Sequence, residues 1–284
     1  MAQTGKSPMT ETVEAQWAAA AEGWDAQASV LDAWLSGPTR TMLDLAGIEP
    51  GSRVLDIAAG AGGQTIVLAQ RVGRQGRILA TDLSPFLVER LRGNVARAGL
   101  RMVEARAADA QMPLTETDAF DAAICRLGLM LMAEPPLCLS ATHAALKSGG
   151  RFSAMVFAGP DANPCIRILM ATAARHAGVP PRDPFAPGGL LSLGRPGYLD
   201  ELFRAVGFSD VSTFQIEAPF RLPSVDDYIA FLRAAAAPVI ALLSHLDPDA
   251  QDAAWADIRR QLAAFDVTAG WNGPNTLLVT TGRK

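Results

Sequence analysis

Short apolar runs alternate along the chain with stretches in which apolar residues recur at helical spacing. The first run, residues 54–57, is mostly apolar and has the pattern of a parallel strand buried on both faces. A glycine-rich turn follows, and residues 65–72 then place Ile66, Ala69 and Val72 on one side of a helix. This pattern predicts a strand, a glycine loop and a helix, the unit that brings backbone close to a nucleotide-bearing ligand.

The alternation of strands and helices continues to the end of the chain and predicts an α/β protein. After the first unit, the predicted strands are residues 77–82, 102–107, 120–125, 151–157, 211–216 and 275–281. The predicted helices are residues 13–35, 38–45, 85–98, 136–147, 165–176 and 196–206, followed by one long helical insertion over residues 224–265. The helix at residues 136–147 is predicted to end in residues 148–150, before the fifth strand.

The glycine loop is compatible with two classes of nucleotide-binding protein. A dinucleotide fold has Gly-x-Gly-x-x-Gly or Ala, which leaves room for a pyrophosphate at the helix N-terminus. Here Gly60 and Gly62 are followed by Thr65 at the sixth position, and Asp56 precedes the glycines at the end of the strand. A carboxylate at this place would repel a pyrophosphate and would suit a ligand that carries an ammonium group.

The sequence Asp-x-Ala-x-Gly-x-Gly, from Asp56 to Gly62, resembles motif I of the class I S-adenosylmethionine-dependent methyltransferases, most of all the ubiquinone/menaquinone-biosynthesis type. The resemblance implies a Rossmann-like, seven-stranded, mostly parallel sheet with an antiparallel last strand and a helical lid. It also implies that the cofactor is S-adenosyl-L-methionine, which carries an ammonium and a sulfonium group. The cofactor-binding residues predicted in this turn are Asp56, Ala58, Gly60, Gly62 and Thr65.

Asp82 is the last residue of the second predicted strand. Its separation from Asp56 along the sequence is close to that of the corresponding residues in nucleotide-binding folds generally. A carboxylate at this place can accept hydrogen bonds from both ribose hydroxyls, and Leu83 beside it is also predicted to bind the cofactor. The alternative is that Asp82 only caps the next helix, but Ser84 followed by Pro85 already fills that role. We therefore predict that Asp82 binds the ribose.

Two further strand ends carry residues that the family resemblance assigns to the cofactor. In the family, an acidic residue after strand three binds the adenine amino group and the next backbone amide meets a ring nitrogen; Asp109 and Ala110 occupy those places. The alternative for Asp109 is an Asx-turn. After strand four, backbone in the family contacts the methionine portion of the cofactor, which implicates Cys125 and Arg126. Arg126 could also reach the carboxylate of the cofactor or of an acidic substrate.

Trp17, Trp24 and Trp34 lie among many alanines near the start of the chain. This segment resembles the aromatic-rich helices that fold over the cofactor in this type of methyltransferase, so Trp24 is predicted to contact it. Ordinary packing of the tryptophans is the alternative. The predicted divisions are a helical lid at residues 1–48, a cofactor-binding core at 49–158, and a last part at 159–284 that completes the sheet and carries insertions at 159–195 and 223–270.

The charge, the cysteine spacing and the apolar stretches argue against several classes of protein. The 284 residues carry a net charge of −4 with no basic run, which argues against a nucleic-acid partner. Three widely spaced cysteines form no Cys-x-x-Cys pair, so neither a metal site nor a disulfide framework is predicted. The longest apolar stretch, residues 234–243, is too short to span a bilayer, and no signal peptide is evident, so a cytoplasmic location is predicted. A homodimer is left open.

Methyl transfer is an in-line displacement in which the protein aligns acceptor and donor and excludes water. A general base is needed only if the acceptor must lose a proton. His143 is expected to be structural and His245 lies in the insertion, which leaves His176 as the candidate if a base is used. The apolar lid segments favour transfer to an oxygen or carbon of a small, fairly apolar acceptor, such as an aromatic, quinone-like or natural-product scaffold. The alternatives are an NAD(P)-dependent Rossmann oxidoreductase and a non-catalytic cofactor-binding protein.

Overall fold

The computed structural model describes residues 22–23, 26–180 and 182–284. Within these ranges, strands and helices alternate along the chain as the apolar pattern predicts. Trp17 and Trp24, which the sequence analysis places in the lid, lie outside the described residues.

The strands are β1 (Arg53–Ile57), β2 (Arg77–Asp82), β3 (Val103–Ala107), β4 (Phe120–Arg126), β5 (Leu146–Phe157), β6 (Ser209–Glu217), β7 (Phe220–Leu222), β8 (Asp266–Val267), β9 (Gly270–Gly273) and β10 (Thr276–Arg283). The α-helices are α1 (Ala28–Leu45), α2 (Gly63–Val72), α3 (Pro85–Arg97), α4 (Pro135–Ala145), α5 (Pro164–His176), α6 (Tyr198–Ala205), α7 (Val225–Ala235), α8 (Ala237–Leu243) and α9 (Pro248–Leu262). Over the described part of the chain, no helix combines the length and the apolar composition needed to cross a membrane.

Seven strands form one sheet in the order β3-β2-β1-β4-β5-β10-β6. The first five strands pair in parallel, and β10 runs antiparallel to both β5 and β6. The prediction of a seven-stranded, mostly parallel sheet with an antiparallel last strand is confirmed. The strand order reverses at β1, so the connections that follow β1 and β4 diverge and leave a crevice at the carboxyl ends of these strands.

The first strand and helix form where the apolar pattern places them. Val54 and Ile57 in β1 are almost completely buried, as expected of a central parallel strand. On α2, Ala69 and Val72 face the sheet as predicted, but Ile66 is only half-buried and Leu68 is buried in its place. The face of the helix that packs on the core is therefore slightly rotated from the predicted face.

Helix α1 runs without interruption through Pro38, where the sequence analysis predicts a break between two helices. A proline inside a helix removes a backbone donor and costs about 3 kcal/mol. The helix tolerates this cost because it is well packed on both sides of the proline: Leu35 and Met42 are at most 1% exposed. The predicted boundary is wrong because tertiary packing outweighs the local preference.

Strand β5 begins at Leu146, earlier than the predicted start at Arg151, and residues 148–150, where the preceding helix was predicted to end, lie inside it. The pairing with β4 shifts its register in this region. Gly149 has a φ angle of +81°, and Gly150 lies close to the Asp121 carbonyl. These two glycines form an irregularity in the strand, and the strand continues through them to Leu146, so the predicted start at Arg151 is wrong.

The insertion after β6 consists of α7, α8 and α9 together with a small sheet in which β9 lies between β7 and β8. The single long helical stretch predicted here is broken because Pro238 and Pro248 each fall in the first turn of a new helix. With α5, these helices enclose a second apolar cluster that includes Phe231, Trp255 and Trp271. The predicted division of the chain into three parts stays a prediction.

Candidate functional site

A cavity of about 220 Å³ lies at the carboxyl ends of β1, β2, β3 and β4, with α1 forming one side. Its wall is mostly apolar and is formed by segments within residues 28–35, 58–64, 81–87, 108–111 and 126–133. This is the switch point of the sheet, where the strand order reverses, and open α/β sheets bind their ligands at such points. The cavity is therefore the candidate binding site.

The turn after β1 leaves room for a ligand at Gly60. Ala58, Gly60 and Gly62 have φ angles of +54°, +58° and +96°, so the turn is held in left-handed conformations. Ala58 and Gly60 lie on the cavity wall as predicted, and a Cβ placed on Gly60 would meet nothing within 4 Å. Gly62 packs against Leu91 instead, whose Cγ lies 3.0 Å from the position of such a Cβ. The prediction that Gly62 faces the ligand is wrong, since this glycine serves the turn and the packing of α3.

Asp56 and Thr65 are fully buried behind the turn and do not form part of the cavity wall. The Asp56 carboxylate accepts hydrogen bonds from Thr65 Oγ1 at 2.6 Å and from Gln64 Nε2 at 3.0 Å. Burial raises the pKa of Asp56 to about 6, and the two hydrogen bonds oppose this increase. The prediction that these two side chains touch the cofactor is therefore corrected: they fasten the first turn of α2 to the end of β1.

Gln64 links this buried carboxylate to the cavity. Its side chain lines the cavity, and its Nε2 donates to Asp56 and also, at 3.4 Å, to the carbonyl of Ala58. Both of these groups can only accept hydrogen bonds, which fixes the amide nitrogen on their side and leaves Oε1 as an acceptor. Gln64 is not among the cofactor-binding residues predicted from the sequence. The available signal was its place in the first turn of the helix that follows the glycine loop.

Asp82 and Leu83 lie on the cavity wall as predicted. Asp82 accepts the backbone N–H of Gly60 on Oδ2 and that of Ser84 on Oδ1, both at 2.9 Å. Burial raises the pKa of Asp82, and these backbone hydrogen bonds oppose the increase. The cap of α3 is Ser84, whose Oγ accepts the N–H of Leu87 at 3.4 Å. Each Asp82 oxygen retains a second lone pair that a ligand hydroxyl can use.

Asp109 and Ala110 also lie on the wall, and Asp109 forms the Asx-turn that was considered as its alternative role. Its Oδ1 accepts from the backbone N–H of Gln111 at 3.0 Å and from Gln111 Nε2 at 3.1 Å. Gln111 in turn accepts the backbone N–H of Glu134 at 2.7 Å, so it joins the segment after β3 to the segment after β4. The turn orients Asp109 and leaves Oδ2 for a ligand, so the two interpretations are compatible.

Of the two residues predicted after β4, only Arg126 reaches the cavity. The thiol of Cys125 is fully buried in the core, where burial raises its pKa well above the usual value, and the residue is not part of the cavity wall; its backbone contact with the cofactor stays a prediction. Arg126 donates from Nη1 to Thr39 Oγ1 of α1 at 3.1 Å. Burial lowers the pKa of Arg126, while the nearby carboxylates of Asp32 and Asp56 oppose the decrease.

His176 lies away from the cavity, at the end of α5. Its Nε2 is 3.0 Å from Asp257 Oδ2, and Asp257 also pairs with Arg175 and Arg260. These contacts fasten α5 to α9. The prediction that His176 faces the pocket as a general base is therefore wrong, because its helix packs into the second apolar cluster.

Helix α1 contributes Leu31, Asp32 and Leu35 to the wall. Trp34, on the same helix, donates from Nε1 to the carbonyl of Ala218 at 2.6 Å and stacks on Phe220 with ring centroids 4.0 Å apart. Packing is thus the role of Trp34, as the alternative interpretation held. Trp24, the predicted cofactor contact, lies outside the described residues.

Comparison with known proteins identifies the domain that carries this cavity. Residues 48–173 match the model of a family described as a methyltransferase domain. The ubiquinone/menaquinone biosynthesis C-methyltransferase UbiE of Teredinibacter turnerae is 33% identical over 42% of this chain, and the chain spans 48% of that enzyme's length. The nocamycin O-methyltransferase of Saccharothrix syringae is 24% identical over 86% of this chain and 89% of its own length.

Solved structures share the fold over most of the chain. The YcgJ protein of Bacillus subtilis superposes with a TM-score of 0.59 at 17% identity and covers 87% of this chain and 97% of its own. The [4+2]-cyclase SpnF superposes with a TM-score of 0.54 at 21% identity and covers 87% of this chain and 80% of its own. At these identities the structures establish the Rossmann-like fold. The match of residues 48–173 to a methyltransferase-domain family and the similarity to the ubiquinone/menaquinone-biosynthesis type support the family, enzyme class and cofactor predicted from motif I.

Proposed function

We propose that the protein transfers the methyl group of S-adenosylmethionine to an oxygen or carbon of a small, fairly apolar molecule. The observation that carries this proposal is the pair of carboxylates, Asp82 and Asp109, that line one cavity at the ends of neighbouring strands beside the open turn at Gly60. The two relatives support both kinds of acceptor atom, since UbiE is named a C-methyltransferase and the nocamycin enzyme an O-methyltransferase.

The cavity wall offers a partner for each part of the cofactor. Asp82 has acceptor capacity for the ribose hydroxyls, and Asp109 with the N–H of Ala110 suits the adenine edge. Gln64 Oε1 adds a neutral acceptor near the turn at Gly60. When bound, the cofactor supplies a methyl group that is already activated by the positive sulfur. The residues of this chain therefore need to bind, orient and shield, and orientation alone can supply about 7–11 kcal/mol of the barrier.

The wall favours an acceptor that needs little help to lose a proton. Among the described residues that line the cavity there is no histidine, and the ionisable side chains are Asp32, Asp82, Asp109 and Arg126. Leu31 and Leu35 of α1 and Leu131 after β4 make the remaining surface apolar. A phenol, an enol or an activated ring carbon on an apolar scaffold fits both features, because the site can align such an acceptor without a dedicated base.

Isothermal titration calorimetry with the whole chain tests the proposal. We expect S-adenosylhomocysteine to bind and NADH to give no heat, since Asp82 and Asp109 make the wall unfavourable for a pyrophosphate. Incubation with a methyl-labelled cofactor and a panel of phenols, quinols and enols should then give labelled product together with S-adenosylhomocysteine. Binding of NADH without S-adenosylhomocysteine would instead support the oxidoreductase alternative.

A second candidate function is cofactor binding without methyl transfer. The similarity to SpnF is the reason to retain this second candidate. SpnF is named a [4+2]-cyclase and has the same fold, and a fold alone does not determine the reaction. The two candidates differ in one measurement. A protein of this second kind would bind S-adenosylhomocysteine in the calorimeter, and the methyl label would stay on the cofactor with every acceptor in the panel.

A further inference from the structure

The part of the cavity wall formed by residues 131–133 has a side-chain hydrogen bond on each side of it along the chain. Before it, the carbonyl of Met130 accepts from Ser192 Oγ at 2.7 Å. After it, the backbone N–H of Glu134 donates to Gln111 Oε1 at 2.7 Å. The position of this part of the wall therefore depends on both partner side chains, and Gln111 itself also lines the cavity.

Gln111 makes its second side-chain contact with Asp109, the carboxylate that the proposed function assigns to adenine. Its Nε2 donates to Asp109 Oδ1 at 3.1 Å, while its Oε1 accepts from Glu134. A carboxylate can only accept hydrogen bonds and a backbone amide can only donate, so the two ends of the Gln111 amide cannot exchange places. A single planar group therefore connects the Asp109 carboxylate to the Glu134 backbone.

Glu134 is the residue at which the wall segment passes into α4. This helix begins at Pro135, and neither Pro135 nor Pro136 has a backbone N–H. The N–H of Leu137 donates to the Glu134 carbonyl at 3.0 Å. Glu134 is thus joined to the helix through its carbonyl and to the segment after β3 through its N–H, so a shift of Gln111 acts on the point where the wall segment ends.

We propose that Gln111 is a positioning residue that couples adenine binding to the wall segment after β4. This inference rests on the proposed function, in which Asp109 binds the adenine edge. Adenine fixes the Asp109 carboxylate through Oδ2, and Gln111 passes this fixed position on to Glu134. Residues 131–133 are then held in place for an acceptor to lie against them, so the acceptor is expected to bind after the cofactor.

The exchange rate of the Glu134 amide proton, measured by NMR, tests the proposal. Adenosine is the probe, because it carries the adenine without the amino-acid end of the cofactor, and isothermal titration calorimetry gives its dissociation constant. At about ten times this constant, adenosine is expected to slow the exchange in the unaltered protein by about 10-fold, since opening of the hydrogen bond then requires loss of the ligand. S-adenosylhomocysteine is the second probe in the same comparison.

Two substitutions of Gln111 separate the two halves of the connection. Gln111→Glu keeps an oxygen for the Glu134 N–H but loses the donor to Asp109, so the amide should stay protected without adenosine and should no longer respond to it. Gln111→Leu loses both hydrogen bonds, so the exchange should be faster than in the unaltered protein, with and without adenosine. Gln251→Leu is the matched control, because Gln251 donates from Nε2 to the carbonyl of Leu246 in the insertion. This variant should respond to adenosine as the unaltered protein does.

Equal slowing by adenosine in Gln111→Glu and in the unaltered protein would show that the ligand acts on the wall segment directly, and the coupling through Gln111 would be wrong. The coupling is also wrong if adenosine binds the unaltered protein without slowing the Glu134 amide, although the proposed function would stand. Should Gln111→Leu fail to fold, Gln111→Glu still decides. If neither adenosine nor S-adenosylhomocysteine binds the unaltered protein, the proposed function itself fails, and the inference with it.

Discussion

The carboxylates near the cavity differ in their surroundings, and these surroundings give them different properties. Asp56 is completely buried, and its charge is stabilised by Thr65 Oγ1 and Gln64 Nε2. Asp82 is only partly buried and is held by the backbone amides of Gly60 and Ser84. Asp56 therefore holds the turn in place, whereas Asp82 can bind a ligand directly.

The raised pKa of Asp56 should make protein stability depend on pH in a specific direction. The folded-state value, about 6, lies above the ordinary value of 3.8, so the folded state binds more protons in this range. The contribution of Asp56 is fully present below about pH 4 and decreases by about 3 kcal/mol as the pH rises through 6. Chemical denaturation of the protein and of Asp56→Asn at several pH values isolates this effect. A stability difference between the two proteins that is constant or increases with pH would contradict it.

Replacement of Asp82 by asparagine should weaken cofactor binding. The substitution removes the charge from the hydrogen bonds to the ribose, which corresponds to about 1.5–3 kcal/mol, or about 10- to 150-fold in the dissociation constant. Titration with S-adenosylhomocysteine measures the change. Asp121→Asn is a suitable control, since Asp121 accepts the N–H of Arg53 and pairs with Lys147 but does not line the cavity. Equal affinities of the unaltered protein and Asp82→Asn would remove this residue from the proposed site.

At the level of single residues, sequence spacing locates strand ends but does not tell which side chains face the cavity. It placed Gly60, Asp82 and Asp109 on the wall because each lies at the end of a strand of the parallel sheet or within three residues after it. Asp56 was misplaced because it is the last polar residue inside β1 and its carboxylate is buried against Gln64 and Thr65 of α2. Asp32 was missed because it reaches the cavity only through the packing of α1 on the turn.

At the level of elements, the segments after β1 and β4 touch where they pass the cavity. A Cβ on Gly128 would lie 2.3 Å from the Cβ of Ala58, and Ala58 itself has a φ angle of +54°. Gly128 has a φ angle of −102°, which any residue can adopt. The requirement for glycine at this position is therefore steric, and it comes from a neighbour distant in sequence.

Gly128→Ala should destabilise the protein by about 1–3 kcal/mol through overpacking, as measured by chemical denaturation. Ala58→Gly removes the opposing methyl group and also relieves a left-handed alanine, so it should be neutral or stabilising on its own. In the double variant, the loss caused by Gly128→Ala should largely disappear. Losses that are simply additive would show that the two segments do not pack as the structure has them.

Strands were predicted more reliably than helix boundaries, for a physical reason. A buried parallel strand such as β1 needs a short apolar run, which is visible in the local sequence. A helix boundary depends on whether the stabilisation from tertiary packing exceeds the cost of a helix-breaking residue such as proline. Pro38 lies inside α1 because the helix is buried on both sides of it, whereas Pro248 begins α9 because Asp247 accepts the N–H of Ala250 as an N-cap. The same residue type has opposite effects in the two contexts.

In the whole molecule, α1 lies between the two apolar clusters. Leu35 belongs to the cluster around the main sheet and Leu31 to the cluster formed by the insertion helices, and both residues also line the cavity. Trp34 fixes the helix to the chain between β6 and β7 through the carbonyl of Ala218. A ligand in the cavity therefore contacts an element whose position depends on both clusters.

Cofactor binding should consequently protect α1 from hydrogen exchange more than it protects the insertion helices. We expect slower exchange within residues 28–45 and 58–65 when S-adenosylhomocysteine is added, because the ligand adds contacts to these segments that opening would break. Helix α9 does not line the cavity and serves as the internal reference. Hydrogen-exchange mass spectrometry of the whole chain measures the difference. An equal change in α1 and α9 would mean that the ligand stabilises the protein only globally, and no change in α1 would mean that this helix is not part of the binding site.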